Sequence, residues 1–597
     1  MPNKISDEIP QETARHLPGL FRERVKRSPK NVAYRHFENE QWVEYSWQDM
    51  AIHVDRWQTA LKREGLTAGD RVAILLRNCP QWVMFEQAAL GLGLIVVPLY
   101  TNDRPSNMGY IIQDAGIKLI LLDGELHWSS LSEVYNMLED VESFISLNEI
   151  NNAHDERIKI IENWVPDKAE IIAYPEIHPD KMATIVYTSG TTGNPKGVML
   201  SHSNILWNAA SAASCEPFYT TDSFLSFLPL SHMFERTAGY YMAMLVGATV
   251  TYARSIELLA DDLMLIRPTL LVTVPRIFER VYNKIKTQLE AKPPVAKYLF
   301  NSAVNVGWHR FLFQQGREKW SSKLLFWPIL NKLVAKKVTD KLGGRIRLAI
   351  SGGAPLSPSI AQTFIGLGLT ITQGYGMTEL SPVASTNLLK DNKPDTVGQP
   401  LPGVEVKLGD RDELMIRCPG VMLGYWQNDT ATKEVIDNDG WLHTGDIAKL
   451  DGDHIRITGR IKEIIVLSNG EKIPPSDIEL AISNDPMFEQ VMILGEGKPY
   501  LCAVVVMNKK AWYNLAEDLK LEPLEKNLSE PEVQKVLLGR IKNELAPFPG
   551  YAKVFRIVAT LEPWTVEAGL ITPTLKLKRN CLLDYYQDNI IEMYEGH

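Results

Sequence analysis

The segment YTSGTTGNPKG at residues 187–197 gathers hydroxyls, glycines and an ammonium group into one short loop. Thr188, Ser189, Thr191 and Thr192 carry the hydroxyls, Gly190 and Gly193 let the backbone turn N–H groups outward, and Lys196 adds a point charge. Together these groups suit a polyphosphate tail. The loop is not of the Gly-x-x-x-x-Gly-Lys-Ser/Thr kind, because Gly197 follows Lys196. A merely solvated polar loop is the plain alternative, and the β-branched run before it and the VMLSHSNI after it argue against that. Glu379, in GYGMTE at 374–379, offers the hard oxygen that Mg²⁺ favours, and Thr188 offers a second. Asp446 closes GWLHTGD at 440–446, where a tight turn lets one carboxylate accept from both hydroxyls of a ribose; a turn-capping Asp is the alternative. Gly352, Gly353 and Ala354, in SGGAP at 351–355, allow close approach of a ligand to the backbone.

These residues need a scaffold, and the hydrophobic pattern supplies one. Short apolar runs at 72–76, 95–97, 118–122, 184–187, 249–252, 270–274, 346–350 and 370–373 alternate with stretches of helical period such as 81–92. That rhythm predicts crossover connections and a largely parallel sheet covered on both faces. After about residue 395 the segments become short, alternating and rich in Gly and Pro, which predicts antiparallel strands and turns. A compact unit follows from about residue 460. The predicted fold class is α/β: a large N-terminal domain (1–459) of parallel α/β subdomains plus a β-rich subdomain, with a smaller mobile α+β C-terminal domain (460–597).

The chain has 597 residues, beyond a single core at roughly 100–200 residues per domain. Its net charge of −9 argues against nucleic acid as the main partner. Cys79, Cys215, Cys418, Cys502 and Cys581 show no CxxC spacing, so neither a disulfide framework nor a zinc knuckle is expected. The N-terminus has no apolar signal region, and the uncharged apolar stretch 237–252 is short of the ~20 apolar residues a spanning helix needs. A cytoplasmic protein is expected, with any membrane contact peripheral, on the inner membrane face. Within the long helical insert at 276–342, Trp320, Leu325, Trp327 and Leu330 interleave with Lys323, Lys332, Lys336 and Lys337. A basic amphipathic helix can lie on an anionic membrane. An ordinary surface helix is favoured over that reading, because Pro328 interrupts the stripe.

Taken in order, these motifs resemble those of the adenylate-forming superfamily of acyl-CoA synthetases, nonribosomal adenylation domains and beetle luciferases. The phosphate loop, GYGMTE, GWLHTGD, GRIKEII at 459–465, GEKIPPSDIE at 470–479 and TPTLKLKR at 572–579 all stand in the family's sequence. The resemblance implies ATP, Mg²⁺ and coenzyme A as cofactors or co-substrates. It places Gly352, Gly353, Ala354, Gln373, Gly374, Tyr375, Gly376, Thr378, Asp446, Arg460 and Lys472 around the nucleotide. Tyr375 would stack on adenine and Thr378 would bond the α-phosphate. Lys462 would be the hinge, and Lys576 the lysine that reaches the acyl carboxylate and the phosphate. The family's usual Gly-Lys pair is Leu575-Lys576 here, and Arg579 keeps the basic position three residues on; Lys578 remains a rival for Lys576.

Among subfamilies, PLSHMFER at 229–236, TPTLKLKR and the long insert resemble long-chain fatty acyl-CoA synthetases. That implies a ligase joining a fatty acid to CoA through an acyl-adenylate, with His232 at the acyl site. The apolar, aromatic stretch 240–247 suits a wall of the acid pocket, or plain helix core. Three alternatives stand beside it. One is a fatty acyl-AMP ligase that loads a carrier protein, another a CoA ligase for a different acid, and the third a silent acyl- or nucleotide-binding adaptor. Oligomeric state is left open, a homodimer included.

Overall fold

The computed structural model describes residues 5–151, 155–172, 175–188, 194–290 and 292–595. Two large mixed sheets form the first part of the chain. One runs Gly424–Tyr425, Lys196–Ser201, Met182–Thr188, Ile95–Pro98, Arg71–Leu75, Ile117–Leu122, Ser143–Ser146 and Ile158–Ile160. The other has nine strands, with Ser223–Ser226, Leu270–Thr273, Leu348–Ser351 and Ile371–Gly376 in parallel at its centre. Central strands such as Arg71–Leu75 are apolar along their length because helices cover both faces; Val72, Ala73, Ile74 and Leu75 have no solvent exposure. Antiparallel pairing appears only at the sheet margins. One such margin, the hairpin of Val32–Glu38 and Gln41–Ser46, carries no Asn-Gly signal; Asn39 and Glu40 supply the positive φ its turn needs.

The predicted β-rich part is a four-stranded antiparallel sheet of Glu405–Leu408, Glu413–Arg417, Leu442–Asp451 and His454–Arg460. A separate apolar core begins at Ile465. It lies under a three-stranded sheet of Phe488–Leu494, Leu501–Met507 and Val554–Thr560 and under helix Pro475–Ser483. The short turn Ile461–Glu463 joins the two parts.

The 276–342 insert departs from a single helical run. Helices Pro275–Glu290 and Pro294–Gln314 are followed by short helical pieces from Ser322 to Asp340 that fold back along the second helix. Gly307 allows the close contact: a Cβ there would lie 2.6 Å from the Trp327 ring.

Three carboxyl ends of strands point to one place. Met182–Thr188 ends in the phosphate segment, Leu348–Ser351 leads to Gly352, and Ile371–Gly376 leads to Thr378. Ligands of open α/β sheets bind at such ends.

Candidate functional site

A cavity of about 1820 Å³ opens at these strand ends and is closed over by the second part of the chain. Thr188, Lys196, His232, Gly352, Gly353, Ala354, Gly374, Tyr375, Gly376, Thr378, Glu379, Asp446, Arg460, Lys462 and Lys576 all line it. Gln373 and Lys472 do not. The Gln373 amide is spent on the backbone, accepting from Leu356 N–H and donating to the Pro394 carbonyl. Lys472 lies exposed in the short strand Lys472–Ile473. Ser189, Gly190, Thr191, Thr192 and Gly193 lie outside the described residues.

Hairpin pairing builds one wall of the cavity. Asp446 sits opposite Arg460 across two antiparallel strands, so its Oδ1 accepts from Arg460 Nε at 2.8 Å. Its Oδ2 accepts from the Tyr375 hydroxyl at 2.6 Å. Burial and then the Asp446 charge raise the Tyr375 pKa, so the phenol stays a donor. Burial works to lower the Arg460 pKa, but Asp446 more than offsets it and the net shift is upward. Each carboxylate oxygen has a second lone pair, so ribose hydroxyls can be accepted beside these partners. Gly376 brings its strand close to the next: a Cβ there would lie 1.9 Å from the Pro382 carbonyl oxygen.

Strand Lys196–Ser201 ends in a capping box between Ser201 and Asn204, which starts helix His202–Ser214 and fixes Lys196 at the cavity rim. The Lys196 ammonium lies 5.0 Å from the centre of the Tyr425 ring. The Tyr425 hydroxyl donates to Glu379 Oε1 at 2.9 Å. Tyr425 is held there by its strand pairing with Val198 and Met199. Sequence reasoning missed Tyr425, because nothing local in MLGYW says that its strand pairs more than two hundred residues back. Glu379 is 8% exposed. Among the described residues no cluster of three or more His, Cys, Asp or Glu could hold a metal. One carboxylate and the Thr188 hydroxyl fit Mg²⁺, which keeps several waters and binds through one or two carboxylates plus substrate phosphates.

His232 stands in a loop anchored by Asn78, which accepts from Leu230 N–H at 2.9 Å, and by the Ser231 hydroxyl donating to the Leu99 carbonyl. Burial, with Lys576 adding to it, lowers the His232 pKa to about 4. The neutral ring accepts the Phe234 N–H on Nδ1 at 3.3 Å, which leaves its proton on Nε2. Apolar lining continues from Phe234 through Ala238, Met242 and Ile350 to Ala212 and Phe218. Of the 240–247 stretch only Met242 reaches this wall; its neighbours, with Tyr240 and Tyr241 stacked, fill the core.

Lys576 enters from above on a turn. Thr572 organises that turn: its hydroxyl accepts from Lys576 N–H at 3.1 Å, and its own N–H donates to the Lys576 carbonyl. Leu575 sits at φ 64, the left-handed region where the resemblance places glycine. Lys576 keeps water access through the open cavity, yet the protein around it removes enough solvent to lower its pKa. Arg460 pushes the same way, and Asp446, Glu379 and Glu463 oppose. Lys578 also lines the cavity; it is Lys576 that helps to lower the His232 pKa and that Asp446, Glu379 and Glu463 act upon. Arg579 braces the segment through Glu479, at 2.7 and 2.6 Å. A further contact missed in the sequence docks the two parts: Arg104 donates to the carbonyls of Val566 and Glu567 at 3.0 and 2.9 Å.

Comparison with known proteins identifies the family. The sequence profile of AMP-binding enzymes matches residues 21–426, and that of the AMP-binding enzyme C-terminal domain matches 462–597. The peroxisomal long chain acyl-CoA synthetase 6 of Arabidopsis thaliana is 33% identical over 90% of this chain and 79% of its own. A long-chain-fatty-acid–CoA ligase of Mycobacterium bovis is 28% identical over 99% of both chains. The adenylation domain of a carboxylate reductase from Mycobacterium chelonae shares the fold, with a TM-score of 0.77 at 21% identity over 97% of this chain and 91% of that one.

Proposed function

We infer, from the premise that this chain belongs to the AMP-binding enzyme family, that it is a long-chain fatty acid–CoA ligase. It converts ATP, a fatty acid and CoA to acyl-CoA, AMP and diphosphate. The observation that carries this reading is the meeting of Lys576 with Glu379, Asp446 and Arg460 in one cavity whose lining also includes His232 and the apolar side chains of Phe234, Ala238, Met242 and Phe218. The two long-chain relatives, matched over most of their length, support the fatty acid as substrate.

The first step brings a carboxylate against an α-phosphate, so charge neutralisation and alignment matter more than acid–base work. A carboxylate oxygen forms the bond to phosphorus, the bond to the β-phosphate bridge oxygen breaks, and diphosphate leaves with that electron pair. Asp446 and Tyr375 hold the nucleoside, and Lys196 and the segment 188–193 hold the departing phosphates. Thr378 bonds the α-phosphate. His232 Nε2–H and Lys576 orient the acid and take up charge as the new bond forms. Thr188 and Glu379 are the residues that would hold Mg²⁺, which when bound would neutralise negative charge on the phosphates. In the second step the lid turns about Lys462, withdraws Lys576 and admits CoA. The thiol sulfur bonds the acyl carbon, AMP leaves, and the thiol proton passes to solvent. The five unpaired cysteines support a reducing compartment such as the cytoplasm.

The test separates the half-reactions. Lys576→Ala is expected to lower fatty acid-dependent ATP–diphosphate exchange by at least about a hundredfold. It should leave thioester formation from supplied acyl-AMP and CoA near wild type. Loss of both in a folded variant would overturn the role of Lys576. Failure of the wild-type protein with every fatty acid offered would overturn the substrate.

A further inference from the structure

The helical insert carries an outward face that the ligase chemistry does not use. Residues 292–341 hold ten Lys and Arg against only Glu318 and Asp340, in a chain whose net charge is −9. Glu318 is paired with His309. The pieces from Ser322 to Asp340 pack Trp327, Leu330, Val334 and Val338 against helix Pro294–Gln314. An ordinary surface helix would present a polar opposite face. Here Leu325, Ile329 and Leu333, spaced four apart on a stripe turned outward from the packed one, are 68%, 59% and 47% exposed, with Phe326 beside them at 61%. Pro328 does not break the stripe, since it falls at the start of the helical piece Trp327–Leu330, where its missing N–H costs nothing. Exposed Lys332, Lys336 and Lys337 flank the stripe, and Trp320 (58% exposed) precedes it.

We propose that this face docks the protein on an anionic lipid bilayer. The apolar stripe enters the headgroup region, and the flanking lysines bind lipid phosphates. Apolar area plus a basic cluster gives the two signals that stable peripheral binding takes. A second copy of the chain fits this face less well, because a two-fold contact would set its lysines against one another. The docking does not rest on the ligase reading.

Sedimentation of the full chain with vesicles tests it. Wild type is expected to bind phosphatidylcholine vesicles containing phosphatidylglycerol, with affinity falling as salt rises, and to ignore vesicles of phosphatidylcholine alone. The triple variant Lys332→Gln/Lys336→Gln/Lys337→Gln should bind roughly a hundredfold more weakly. Leu325→Gln/Ile329→Gln/Leu333→Gln should bind at least about tenfold more weakly. Both should keep the wild-type urea midpoint. If the apolar variant unfolds, the lysine variant, altered only at exposed side chains, decides alone. Equal binding to the two vesicle types, or wild-type binding by a folded variant, overturns the proposal. So does wild-type self-association that the apolar variant abolishes while wild type stays off vesicles.

Discussion

Lys196 and Lys576 reach the same cavity from supports of very different stiffness. Lys196 opens a strand paired on both sides, between Met182–Thr188 and Gly424–Tyr425, and a capped helix follows it. Lys576 rides on a turn tied by Thr572, braced by the Arg579–Glu479 pair and docked through Arg104. Sheet pairing fixes the first through many backbone bonds, so losing one side chain leaves the rest in place. The second depends on a few polar contacts, each worth about 1 kcal/mol. In the proposed two-step reaction, the groups that would stay aligned on the nucleotide sit on the sheet, and the group that would leave between steps hangs from a surface held by few contacts.

Glu379→Gln breaks the sheet-built side without moving it. Tyr425 can still donate to the amide oxygen, so the fold should hold while the charge is lost. A fall of roughly a hundredfold in the kcat of adenylation is expected, with a higher Mg²⁺ requirement. A Mg²⁺ titration of diphosphate exchange measures both. An unfolded protein instead would mean that the floor is not as self-supporting as its strand pairing indicates.

Arg104→Ala strikes the other side. It deletes two hydrogen bonds that exist only when the lid is docked over the cavity. Adenylation should slow by up to about tenfold, and thioester formation from supplied acyl-AMP should be unchanged. Equal slowing of both half-reactions would show that Arg104 serves the fold rather than the docking.

His232 lies where the two regions face each other, and its pH response reports on both. Its folded pKa is about 4, below the ordinary 6.5, so the native state resists its protonation. Its contribution to stability is complete above about pH 6.5 and is lost as pH falls toward 4. Urea midpoints at pH 7 and pH 5 should therefore differ less in His232→Gln than in wild type. Because Lys576 contributes to that low pKa, Lys576→Ala should raise it, as a proton NMR titration would read. An unchanged His232 titration in Lys576→Ala would mean that the lid is not held over the cavity in solution.

The same contrast explains what could be read from the sequence. Central strands were legible because burial on both faces makes them continuous apolar runs, as at Arg71–Leu75 and Ile117–Leu122. The motifs around Asp446, Glu379 and Lys576 were legible because each is local in sequence. Tyr425 and Arg104 were not: each acts on a partner far along the chain, and no local spacing encodes such a contact. Gln373 misled for the opposite reason. It stands inside a local motif, but the neighbouring backbone at Leu356 and Pro394 consumes its amide. The outward stripe at Leu325, Ile329 and Leu333 needed the register of the pieces packed on helix Pro294–Gln314, because apolar residues lie on more than one side of this segment and do not say which side is covered.

The smallest expected effect is Leu575→Gly, which tests how tightly the lysine turn is held. Leu575 occupies the left-handed region at φ 64 and is 46% exposed, so it carries the steric cost of that conformation with little burial in return. That cost is about 1–2 kcal/mol for a residue with a Cβ. Glycine removes it but gives back about 0.5–1 kcal/mol through the greater freedom of the unfolded chain. A net gain of about 0.5 kcal/mol in urea-monitored stability is expected, with adenylation changed less than about twofold. If adenylation instead fell about tenfold while stability rose, Leu575 would be stiffening the turn at the expense of stability. The lid would then owe its alignment to backbone strain as well as to the contacts of Thr572, Arg579 and Arg104.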